Sequence, residues 1–194
     1  MSEQMTEAAM LYWENLDVLT PACHEMTAYL DATSDHWWNR VEKKWQDQHG
    51  SADELIVKRW THREDPGRWS VYLENSKTGL EVHVSKTGLH VQVSDPRRSG
   101  EVNHYQLILI NTEQHRKELA KIGEQAFDTL TQLASESDIA LRPSGEPVLA
   151  EENLDFLTDS ASELGDLVAD TILNQLRFIA KFDTWWKNLK EPTD

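Results

Sequence analysis

Aliphatic and polar residues alternate most regularly between residues 69 and 93. Trp69, Val71 and Leu73 alternate with Ser70, Tyr72 and Glu74, and a period of two marks a strand with one buried face. The period continues through two nine-residue copies, SKTGLEVHV over 76–84 and SKTGLHVQV over 85–93, which differ at two positions. Each copy reads as a Ser-Lys-Thr-Gly turn feeding a five-residue strand, with Gly79 and Gly88 where the backbone needs a left-handed conformation. Folding one copy on the other predicts Val84 opposite Leu89, Val82 opposite Val91 and Leu80 opposite Val93. The equivalent turn upstream predicts Leu73 opposite Val82 and Val71 opposite Val84. One face of this sheet is then aliphatic throughout, and the other, partly open to solvent, carries Tyr72, Glu81, His83, His90 and Gln92.

Two further strands flank these, Leu55–Trp60 and His104–Ile110. Leu107, Ile108, Leu109 and Ile110 are apolar in succession, which suits a strand covered on both faces. Around the strands the period changes to helical. Pro21 predicts a break between helices over Met5–Leu19 and Ala22–Leu30. Ser34 predicts an N-cap for a third segment, in which Trp37, Val41 and Trp45 form a buried stripe; Trp38, off that stripe, predicts a contact or a second packing layer. A helix is expected from Thr112 to about Ser135, buried through Leu119, Ile122, Ala126, Leu130 and Leu133. After the Arg142–Pro147 loop, a long helix is expected over Glu151–Leu189, with Phe178, Phe182 and Trp186 docking its end or forming a dimer seam.

The predicted fold is α+β: a five-stranded antiparallel meander sheet packed by N-terminal and C-terminal helices. It forms one domain over 1–194, with a helical segment at 1–50, the sheet at 54–111 and helices at 112–190.

Composition narrows the classes of function. With 34 acidic and 19 basic side chains the formal net charge is −15, which repels nucleic-acid phosphates and anionic membranes, so direct nucleic-acid binding is not expected. No apolar run is long enough to span a bilayer, MSEQMTEAAM lacks the pattern of a secretory leader, and the single cysteine, Cys23, excludes an internal disulfide. The expected location is cytoplasmic.

Acidic residues supply the leading functional candidate. Glu152, Asp155, Asp159, Glu163, Asp166 and Asp170 recur three or four residues apart, which on an unbroken helix lines them along one side. No lysine or arginine occurs between Val148 and Leu176. A solvated face would need no partner. As a site, the row predicts a non-catalytic binding or inhibitor protein that docks a basic protein partner, or one that mimics nucleic-acid phosphates.

Catalysis has a weaker basis. His83 opposite His90, with Glu81 nearby, can hold a metal and gives the alternative of a metal-dependent enzyme or a divergent nuclease-like domain. No third ligand is specified, however, and His83 stands where restriction-type nucleases place a lysine. His24-Glu25 lacks the second histidine of a helical zinc motif, and Cys23 beside His24 is no catalytic dyad. No cofactor is expected, and a homodimer is compatible with the apolar stripes.

Overall fold

The computed structural model of the chain describes residues 7–50, 55–63, 67–75, 89–96, 104–110, 117, 124–141, 148–155 and 160–190. In chain order these form α1 (Glu7–Glu14), α2 (Leu16–His49), β1 (Leu55–Thr61), β2 (Arg68–Asn75), β3 (His90–Ser94), β4 (His104–Ile110), α3 (Glu124–Ser135), β5 (Val148–Asp155) and α4 (Ala161–Lys190). The five strands make one antiparallel sheet in the order β1-β2-β3-β4-β5. The fold is the α+β arrangement expected, with helices from both ends of the chain on one face.

Two of the five strands differ from expectation. β2 pairs with the second copy of the repeat: Val71 faces Val91 and Trp69 faces Val93, and with Arg59 on its other side Val71 has no place for the predicted partner Val84; the predicted pairing of Leu73 with Val82 lies outside the described residues. Both copies carry the same aliphatic row, and a pattern cannot tell which one a neighbour selects. The predicted strand Leu80–Val84 lies outside the described residues. Leu89, Val91 and Val93 do share the buried face.

The fifth strand is β5, where a helix was expected from Glu151. Ala150 and Leu154 lie opposite Leu109 and Tyr105 of β4, filling the second edge of the most apolar strand. Acidic residues three apart satisfied a helical period, but the backbone demand of β4 overrode it. The helix starts only at Ala161, where the Ser160 hydroxyl accepts the Glu163 N–H at 3.2 Å and caps it.

At the other end, α2 runs unbroken through Pro21. Proline costs a helix one hydrogen bond and crowds the carbonyl four residues back, but here it is exposed and water can solvate that carbonyl. The interruption falls at Asn15 instead. Ser34 is no cap; its hydroxyl donates to the Leu30 carbonyl at 2.9 Å in mid-helix.

The core lies between the sheet and the α2–α4 pair. Trp37, Val41 and Trp45 are buried as the stripe requires. Trp37 meets Trp69 edge-on, centroids 5.7 Å apart, and the Trp45 indole donates to the Leu55 carbonyl at 3.1 Å, tying α2 to β1. Trp38 forms a second layer: the Arg59 guanidinium lies 5.0 Å from its ring centroid and 5.5 Å from that of Trp37. Burial pushes the Arg59 pKa down, opposed by the charges of Asp35 and Glu42. Phe178, Phe182 and Trp186 all belong to the core. The two long helices run in the same direction, with His36 beside Asp166 and Gln48 beside Arg177. They approach closely at Gly165, where a Cβ would stand 2.8 Å from His36 Cδ2. No helix among the described residues is long and apolar enough to cross a membrane.

Candidate functional site

The acidic residues do not form one row. Glu152 and Asp155 sit on β5, while Glu163, Asp166 and Asp170 sit on α4; Asp159 lies outside the described residues. Asp166 and Asp170 face α2 and are paired there. Asp166 Oδ1 lies 2.8 Å from His36 Nε2 and 3.1 Å from Arg40 Nε, and Asp170 meets Lys44 Nζ at 2.7 Å and Arg40 Nη2 at 3.5 Å. These carboxylates fasten one helix to the other. Glu163 and Glu152 remain exposed.

Burial pushes the Asp170 pKa up, but hydrogen bonds and charges from Lys44 and Arg40 outweigh it and hold the carboxyl below its usual value. A depressed folded-state pKa stabilises fully above the ordinary carboxylate pKa, and that stabilisation is lost as pH falls through the depressed value. Because Asp170 is half exposed, Asp170→Asn is expected to cost only about 0.5–1 kcal/mol at neutral pH. Urea unfolding of both proteins between neutral and strongly acid pH checks this; the difference should vanish at the acid end.

The second face of the sheet is more closed than expected. Tyr72 and Gln92 are buried and His90 is half-buried, while Glu81 and His83 lie outside the described residues. Gln92 Oε1 accepts a hydrogen bond from Arg68 Nη2, the Gln106 amide donates to Glu151 at 2.9 Å, and burial, then the Glu74 charge, pushes the Tyr72 phenol pKa up. Among the described residues no group of three or more histidine, cysteine, aspartate or glutamate side chains is placed to hold a metal. Because His83 is not one of those residues, the predicted pair with His90 lies outside what they describe.

A cleft does form where β5, α4 and the turn after α3 meet. It encloses about 280 Å³ and is lined by Asp138, Glu152, Thr171, Asn174 and Gln175, among others. Asp138 holds a left-handed backbone, φ 54°, in a turn whose end is fixed by the Ile139 N–H donating to the Ala134 carbonyl at 2.9 Å. Asn174 Oδ1 accepts from Arg177 at 2.9 Å. Gln175 is 3 % exposed, and its Oε1 has no hydrogen-bond partner among the described residues.

No family model, curated protein or solved structure matches this chain.

The cleft's chemistry must then speak for itself. A buried carbonyl oxygen without a donor costs about 1–3 kcal/mol, and two exposed carboxylates at the same opening favour a ligand that donates hydrogen bonds and carries positive charge. Among the described residues, the cleft lining holds no nucleophile paired with a base. Sequence patterns pointed to Glu152 but missed Asp138 and Gln175. Gln175 left one trace: it is a polar residue flanked by the buried positions Ile172, Leu173, Leu176 and Ile179 of α4, a break in an otherwise apolar stripe.

Proposed function

We propose that the protein is a non-catalytic binding protein for a basic protein partner, which inserts a lysine or arginine side chain into the cleft between β5 and α4. Gln175 carries this proposal: it lines the cleft and its buried carbonyl oxygen has no donor, so an ammonium or guanidinium group that reached this oxygen by a shift of the amide would satisfy it while Glu152 and Asp138 balance the charge. The acidic surface, with a net charge of −15, would steer such a partner in from a distance. Among the described side chains of the six-carboxylate row, Glu152 is then the one that contributes directly. Asp166 and Asp170 support the site only by holding α4 against α2.

A trilysine peptide titrated into isotope-labelled protein at low salt provides the test. Chemical-shift changes are expected at Glu152, Thr171, Asn174 and Gln175. Binding should weaken at least about tenfold in Glu152→Lys, weaken in Gln175→Leu, and fall as salt rises. Shifts spread over the acidic surface, indifferent to both substitutions, would remove the cleft from consideration.

A further inference from the structure

The N-terminal part of α2 runs on past the end of its partner helix. His36 lies beside Asp166 and α4 begins at Ala161, so α4 offers no cover to α2 upstream of about Leu30. From Leu16 to Tyr29 the helix extends about 20 Å with no residue buried. Its exposed side chains include Val18 and Met26, and α1 adds Met10, Leu11 and Trp13, the last 70 % exposed.

Met26 belongs to a regular row, although Val18 and the α1 residues do not. Leu16, Leu19, Cys23, Met26 and Leu30 follow steps of three, four, three and four, and the same alternation leads on to Thr33 and Trp37, both buried in the core. A seam that α2 fills against the domain at one end is thus repeated at the other, where Leu19 is half-buried and Leu16, Cys23 and Met26 are exposed. Such spacing is what a two-helix coil needs. The positions flanking the row are Asn15, Thr20, Ala22, Thr27 and Tyr29, none of them charged. The acidic residues Asp17, Glu25 and Asp31 fall further round the helix, and Pro21 falls opposite the seam.

We propose that this arm pairs with the same arm of a second copy of the chain, giving a dimer with two heads. The flanking positions decide the occupant. Where a heterologous helix is selected by charge, those positions carry it; here they are neutral, so two identical acidic arms close without like charges meeting at the seam. The residual repulsion comes from the outer carboxylates and is screened by salt.

Sedimentation velocity of the full chain over a range of concentrations and salt tests the proposal. A concentration-dependent dimer is expected, strengthened or unchanged by added salt. Leu19→Asp with Met26→Asp should raise the concentration needed for half-association at least about tenfold while leaving the circular dichroism of the head intact. A monomer at every concentration, or a dimer indifferent to these substitutions, overturns it. Trilysine binding at the cleft weakens with salt, the opposite dependence, so the two proposals fail separately.

Discussion

Replacing Trp37 by alanine is expected to destabilise the fold by about 3–5 kcal/mol, the usual range for emptying a fully buried tryptophan site. The residue is 0 % exposed, packs edge-on against Trp69 of β2 and against Trp38, and carries one side of the Arg59 guanidinium. Its loss therefore opens a void at the junction of helix layer and sheet, and leaves a half-buried cation with a single aromatic neighbour. Urea unfolding measures the effect, with Trp37→Phe expected to lose less because it keeps part of the ring contact. A loss below about 1 kcal/mol for the alanine variant would mean that α2 does not seat on the sheet as described.

Gly67→Ala should be nearly as damaging. Gly67, in the turn just before β2, has φ 85°, a backbone that costs a side-chain-bearing residue about 1–2 kcal/mol. The added Cβ would also run into the carboxylate of Asp95, a residue 1 % exposed whose backbone N–H donates to the Gly67 carbonyl at 2.8 Å. The carboxylate has no solvent to retreat into, and forced overpacking adds about 1–3 kcal/mol. The combined loss of about 2–5 kcal/mol should appear in thermal and denaturant unfolding alike. A neutral outcome would show that the turn relaxes freely.

Much of this architecture was legible in the sequence. The alternation at 69–73 and 89–93, the stripe of Trp37, Val41 and Trp45, and the aromatic end of α4 each placed the right side chains in the core. Failures came where two signals competed. The duplicated nonapeptide offered β2 two equivalent partners, and no local pattern separates them. From Glu151 the acidic residues carry a helical spacing and no alternation marks the strand, so the need of β4 for a second neighbour is what decides there. Pro21 carries the usual signal of a helix break, yet it sits exposed inside α2, and a break there conceals the continuous row from Leu16 to Leu30. The candidate site was legible only through Glu152, because a cleft between elements distant in sequence depends on tertiary placement.

The late arrival of β5 has a consequence for how the chain folds. Residues 111–147 must all be accommodated before β4 acquires its outer neighbour, so during synthesis the most apolar strand waits with an unzipped flank. Such a flank is a template for pairing with another molecule. A nonsense change between Ile110 and Val148 would make that vulnerability permanent, and the shortened product is expected to accumulate as insoluble aggregate rather than as a smaller folded protein.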